Sequence, residues 1–157
     1  IALTHAHGRV FRTARPIAKG TRFKIEVTNN LECYTYLFGE ETDGSTYVLF
    51  PYSEKHSPYC GVTGMRQFPK DQSLTADEVG DMDIMAILVT NQPFGYPEIN
   101  ERMNKFKAAS LEVALPGVLG DELLNEAAVD YTDGETIGAS GPASKNALAI
   151  MLEIEKR

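Results

Sequence analysis

The chain holds 157 residues, 43% of them hydrophobic and 24% charged, with a formal net charge of −7. A chain of this length and composition can bury a core of its own, which excludes disordered, collagen-like and disulfide-framework classes. No apolar run approaches the ~20 residues a membrane-spanning helix needs, and the negative balance repels phosphate backbones and argues against nucleic acid as a partner.

Residues 1 to 20 carry Arg9, Arg12, Arg15 and Lys19 and no acid, whereas the remainder carries 11 basic against 22 acidic residues. The basic arm either docks on an acidic partner or lies on the acidic surface of its own domain. The N-terminus, Ile1-Ala2-Leu3-Thr4-His5, has no Met and no basic-apolar leader. A leader or an upstream domain is therefore expected before it, in keeping with a periplasmic or cell-envelope setting.

Phe23, Ile25 and Val27 alternate with Arg22, Lys24, Glu26 and Thr28, the period of a half-buried strand. Asn29-Asn30 supplies a turn. Glu32 to Phe38 follows, rich in aromatic and β-favouring residues, and Asp43-Gly44 marks a hairpin whose return strand is Thr46 to Phe50, stopped by Pro51. Residues 20 to 51 thus read as a three-stranded antiparallel meander. Residues 52 to 64 read as a loop, with a short strand near Met65 to Phe68. Met82 to Thr90 is almost continuously apolar and fits a central strand buried on both faces.

The period then changes. Ile99, Met103 and Phe106 recur at helical spacing among Glu98, Glu101, Arg102, Asn104, Lys105 and Lys107, with Pro97 in the first turn. Gly117 and Gly120 read as breaks, Asp121 to Ala128 as a second short helix with Asp121 as its N-cap, and Val129 to Tyr131 as a strand before an Asp133-Gly134 turn. Leu148, Ile150, Leu152 and Ile154 alternate with Ala149, Met151, Glu153 and Glu155 in a terminal strand. Without regular βαβ alternation, the fold class is mainly β: an antiparallel β-sandwich-like domain with a two-helix insertion before the last strand. Residues 1–157 are read as one domain, with a core at 20–93 and a helical extension plus terminal strands at 94–157.

Several pieces together resemble the bacterial domain of unknown function 4384 family: Gly20-x-x-Phe23-x-Ile25-x-Val27, Cys33-Tyr34-Thr35-Tyr36-Leu37-Phe38, the Asp43-Gly44 turn, Val48-Leu49-Phe50-Pro51, Phe68-Pro69, and Met85 to Thr90 before Pro93. This chain has Tyr52 where members often place Asn, and a longer loop to Met65. The resemblance implies an all-β accessory module of the kind attached to peptidase or kinase domains or found in exported proteins. It implies no catalytic residues and no cofactor.

Cys33 and Cys60 lack the second pair that a zinc site of the usual spacing requires. Either they form one disulfide closing a 28-residue loop, stabilising by roughly 3–4 kcal/mol, or Cys33 is a buried thiol acting as a small hydrophobe. His5-Ala6-His7 offers two imidazoles on one strand face, but His56 is the only further histidine, so no metal is assigned. Asp81 with Asp83, and Asp130 with Asp133, are carboxylate pairs flanking strands. Gly138-Ala139-Ser140-Gly141 lacks nucleophile-elbow spacing, and Gly61-Val62-Thr63-Gly64 lacks the Lys-Ser/Thr pair of a phosphate loop. Nothing but residue count supports a thiol dyad of Cys33 or Cys60 with His56.

Seven aromatic residues, Tyr34, Tyr36, Phe38, Tyr47, Phe50, Tyr52 and Tyr59, fall within 26 residues. They either fill a core covered on both faces or present a platform, in which case Tyr34, Tyr36, Tyr52 and Tyr59 are the binding candidates. The reading is a non-enzymatic accessory module that binds protein through a sheet face or the Tyr52 to Met65 loop. Its alternative is a hydrolase or small-ligand binder built on Asp130, Asp133 and His56.

Overall fold

The computed structural model describes residues 1–62, 64–106, 110–142 and 144–157, so Thr63 and Lys107 lie outside the described residues. In chain order the strands are β1 (Leu3–His7), β2 (Val10–Thr13), β3 (Arg22–Phe23), β4 (Ile25–Val27), β5 (Cys33–Glu40), β6 (Thr46–Phe50), β7 (Tyr59–Cys60), β8 (Arg66–Phe68), β9 (Leu74–Thr75) and β10 (Met82–Thr90). Helices α1 (Tyr96–Lys105) and α2 (Leu111–Leu119) follow, then β11 (Asp130–Thr132), β12 (Gly138–Ser140) and β13 (Ala147–Glu155). The fold is mainly β with a helical insertion ahead of the closing strand.

The apolar run 82–90 becomes the centre of the main sheet. β10 pairs antiparallel with β13 along its whole length, from Met82↔Glu155 to Thr90↔Ala147, and with β5 from Met85↔Gly39 to Thr90↔Tyr34. The sheet order is β1-β2-β13-β10-β5-β6, with β7 also on β5. Alternation sorts the side chains onto two cores. Tyr36, Phe38, Ala86, Leu88, Ala147, Ala149 and Met151 face the helices, and Leu37, Met85, Ile87, Leu152 and Ile154 face the opposite side. Small residues at 86, 147 and 149 make room for Ile99, Met103, Leu111, Ala114 and Leu115 of the helices. On the opposite face the ribbons β3–β9 and β4–β8 lay Phe23, Ile25, Val27 and Phe68 over the sheet.

The second layer of the sandwich is thus built of short ribbons, and the main sheet is mixed rather than wholly antiparallel, because β2 joins β13 in parallel. Several local expectations are corrected. The strand 22–27 is not the first of a meander with β5; it splits into β3 and β4, which pair with β9 and β8, because β10, apolar on both faces, occupies the inner edge of β5. The second helix is not 121–128 but α2, whose buried Leu111, Ala114, Leu115, Val118 and Leu119 form one face despite Pro116 and Gly117. Gly117 is a close contact rather than a break: a Cβ there would meet the Phe106 ring. Asp121 caps nothing; residues 120–122 and 126–128 form short 3-10 turns, the latter capped by Asn125. The terminal strand has both faces covered, so Ala149 and Met151 are buried along with Leu152 and Ile154.

Two long-range polar contacts fix the ends. Glu40, at the end of β5, accepts the Leu111 N–H at 2.5 Å and so serves the first turn of α2, where Ser110 makes no side-chain cap. Burial pushes the Glu40 carboxyl up. Lys156, its side chain 0% exposed, donates to Asp77 at 2.6 Å, Asp83 at 2.7 Å and the Val79 carbonyl at 2.7 Å, clamping the C-terminus to the segment before β10.

Two outcomes are expected. Leu115→Ala, removing a fully buried side chain, costs about 3 kcal/mol in urea unfolding, while Val113→Ala, on the exposed face of the same helix, stays within about 0.5 kcal/mol; equal costs would refute this helix face. Lys156→Met leaves Asp83 uncompensated and costs about 2 kcal/mol, lowered from the fully buried case by the exposure of Asp77. Burial favours loss of the Lys156 proton, but the hydrogen bonds it donates to Asp77 and Asp83 outweigh that and raise the amine above the ordinary value of 10.5. The clamp is then fully present below that pH and is lost as pH rises through the folded value. The stability gap between parent and variant should hold from neutral pH to about pH 10 and shrink beyond; a gap that shrinks below pH 9 would contradict this ionisation.

Candidate functional site

The loop between β6 and β7 starts from a buried aromatic base. Phe50 and Phe68, both fully buried, meet edge-on with ring centroids 4.7 Å apart, and each precedes a cis proline, Pro51 and Pro69. The chain leaves this base as Tyr52-Ser53 on one side and Lys70-Asp71 on the other. Ser53 Oγ lies 2.8 Å from His56 Nδ1, and His56 Nε2 lies 2.8 Å from Asp71 Oδ2. Tyr52 donates its hydroxyl to the same Asp71 oxygen at 3.1 Å and packs its ring 4.2 Å from the His56 ring. Lys24 donates to the carbonyls of Pro69 and Lys70, holding the Asp71 corner in place.

The hydrogen bond from His56, then that from Tyr52, holds the Asp71 carboxyl below the ordinary carboxylate range. In the tautomer with the proton on Nε2, His56 donates to Asp71 and Nδ1 accepts from the Ser53 hydroxyl. This is the bonding order of a nucleophile, a base and an orienting carboxylate, with the ring nitrogens exchanged relative to the serine-protease arrangement. Ser53 Oγ is also engaged in its own turn, accepting the Lys55 N–H at 3.3 Å. Two surface depressions lie elsewhere, one beside Asp43, Ser45, Met103 and Phe106, the other beside Phe94, Glu98, Arg102 and Leu119. The cluster therefore braces the loop. Sequence reading found Tyr52 and His56 but missed Ser53 and Asp71; the available signal was the pair of Phe-Pro steps preceding them.

Beyond the brace, Asn29 Nδ2 donates to the carbonyl of Leu31 at 2.7 Å and reaches those of Cys60 and Gly61 at 3.4 Å, tying the turn before β5 to β7. Four large apolar side chains come out at this end: Leu31 (68% exposed), Tyr59 (41%), Val62 (56%) and Met65 (58%). Tyr59 packs edge-on to half-buried Tyr34 at 5.7 Å and donates to Glu32 at 2.8 Å. Tyr34 and Tyr59 thus sit together, and Tyr52 sits on the polar brace. Tyr36 leaves the set of surface candidates: it is fully buried, and its hydroxyl accepts the Phe94 N–H at 2.8 Å inside the helix-side core.

The Asp130, Asp133 and His56 constellation is corrected. Asp133 accepts the His5 N–H at the β1 edge, and Asp130 lies in the β11–β12 ribbon, whereas His56 follows β6 at the far edge. From β1 to β5 the sheet steps across four strand spacings, roughly 20 Å. His5 and His7 are separated by a register shift and take different partners: His5 stacks on Tyr131, and His7 Nε2 lies 2.9 Å from Glu112. Among the described residues no group of three or more His, Cys, Asp or Glu side chains is placed to hold a metal ion. The basic arm lies on its own acidic surface, with Arg9 on Glu126, Arg12 on Glu153 and Lys19 on Asp81. Cys33 and Cys60 are both buried free thiols.

Residues 17–93 match the model of a family described as a domain of unknown function, DUF4384, in agreement with the resemblance read over residues 20–93. No curated protein and no solved structure matches the chain.

The brace makes a direct prediction. Because Asp71 is depressed, its stabilising contribution is present above the ordinary aspartate value of 3.8 and is lost as pH falls through the folded value. In His56→Ala the Asp71 carboxyl, followed by NMR, should titrate closer to 3.8 than in the parent, and Tyr52→Phe should move it less. An unchanged Asp71 titration in His56→Ala would refute the brace.

Proposed function

We propose that this chain, whose residues 17–93 match the DUF4384 family model, is an accessory binding module that docks a protein segment on the surface formed by Leu31, Tyr59, Val62 and Met65. The observation that supports the reading is that these four exposed apolar side chains sit on segments joined by hydrogen bonds, the turn before β5 and the stretch from β7 to β8, through Asn29 and Arg66. Scattered exposed apolar residues need no explanation, but several on neighbouring hydrogen-bonded loops suit a protein-contact patch. Tyr and Met are also enriched at such contacts. The net charge of −7 favours a segment that carries apolar side chains flanked by basic ones.

One observation favours a second reading. The Ser53–His56–Asp71 bonding order is that of an acyl-transfer relay, which would move the hydrolase alternative away from Asp130 and Asp133. Covalent labelling of Ser53 by a fluorophosphonate, abolished in His56→Ala, would favour it over the docking reading.

An array of synthetic peptides tests the docking reading. Apolar peptides flanked by Lys or Arg should bind, acidic-flanked counterparts should not, and Leu31→Asp with Met65→Asp should weaken binding by roughly tenfold or more with circular dichroism and Tm unchanged. Equal binding by the double variant, or preference for the acidic set, would sink the proposal.

A further inference from the structure

β7 is two residues long, and what holds it to the sheet is short. Cys33 stands opposite Cys60 and Tyr34 opposite Tyr59 in the β5–β7 ladder, and Thr35 N–H donates to the Pro58 carbonyl at 2.9 Å. The Thr35–Pro58 bond makes positions 33 and 60, two residues along, the next hydrogen-bonded site of the ladder. Directly opposed residues at such a site have Cα atoms about 5.5 Å apart, inside the roughly 4.4–6.8 Å window that disulfides require. Both side chains point into the ribbon-side core with Leu37, Phe50 and Phe68. Cys60 donates to Thr35 Oγ1 at 3.5 Å and to the Pro58 carbonyl at 3.6 Å, so its sulfur lies against β5 beside Cys33.

We propose that Cys33 and Cys60 are a disulfide-forming pair whose oxidation fastens β7, and with it the loop from Tyr52 to Val62, to the rim of the sheet. The pairing stands independently of the docking reading; only its consequence for Tyr59 and Val62 rests on that reading. The oxidant is a small disulfide of the glutathione class. One cysteine thiolate attacks a sulfur of that disulfide and releases one thiol. The second thiolate then attacks the protein-side sulfur of the mixed disulfide and releases the other thiol. Two protein thiols lose two protons and two electrons, and one external disulfide becomes two thiols. Both cysteines are buried, so the first attack needs β7 to lift from β5. Burial, then the neighbouring Cys60, raises the Cys33 thiol and keeps it neutral while the pair is closed.

The sequence makes the test simple, because Lys55 lies between the two cysteines and trypsin separates them into peptides 25–55 and 56–66. The intact wild-type chain is incubated with oxidised glutathione, with and without urea below the unfolding transition. The expected product is monomeric and about 2 Da lighter than the reduced chain, with the two tryptic peptides joined and released by dithiothreitol. It should form faster in mild urea, and its Tm should be higher by roughly 10 °C. Cys60→Ser should abolish the link. Stable glutathione adducts on separate cysteines, disulfide-linked dimers, or unreacted thiols even in mild urea would overturn the pairing. An oxidised chain that forms the link but shows unchanged peptide affinity would remove only the consequence for docking.

Discussion

A strand that is apolar on both faces must be paired on both edges and covered on both sides. β10 sets that requirement for this protein. Its nine residues, Met82 to Thr90, meet β13 on one edge and β5 on the other, and both faces are closed, by helices on one side and by short ribbons on the other. A backbone group left unpaired at such depth costs far more than a surface one. The two faces are not equivalent. Alanines at 86, 147 and 149 line the helix side, whereas Met85, Ile87, Leu152 and Ile154 line the ribbon side. Backbone approach differs accordingly, and that difference decides where α1 and α2 sit.

The same requirement ties the family segment to the rest of the chain. Residues 17–93 contain β10 but not β13, the strand that pairs with it from end to end. Nor do they contain the helices that bury Tyr36 and Phe38. The C-terminal extension therefore completes the core of the family segment rather than hanging from it, and the Lys156 clamp closes the arrangement by joining the chain end to Asp77 and Asp83.

Because β10 takes the inner edge of β5, the outer edge is left to β6 and β7 and to the loop between them. That displacement creates the candidate site. β4–β8 pairing brings Phe68 beneath Phe50, which carries Asp71 within reach of His56 and Tyr52. The fold-back of β7 ties the segment that carries Tyr59 and Val62 to the Asn29 turn that carries Leu31. Meanwhile three of the four N-terminal basic residues, Arg9, Arg12 and Lys19, pair with Glu126, Glu153 and Asp81 of the same chain.

Local patterns were enough for the pieces whose cause is local. Aromatic and β-favouring residues marked β5, alternation marked β13, an unbroken apolar run marked β10, Asp43-Gly44 marked the hairpin, where Gly44 has φ +85°, and helical spacing with Pro97 marked α1. The family resemblance was legible for the same reason, since its motif is built from those strands and turns. The helix α2 was missed because Pro116 and Gly117 carry the local signature of a break, while its helical state comes from burying five apolar residues against other elements. Strand pairing was legible only for the β5–β6 hairpin. Nothing within residues 22–27 states that they pair with 66–68 and 74–75 rather than with β5, and nothing near His56 states that its carboxylate is Asp71 rather than Asp133. A side-chain pattern fixes which face of a segment is buried, but which segment lies beside it is decided by competition among all the strands for the same edges, and that competition exists only in the folded chain.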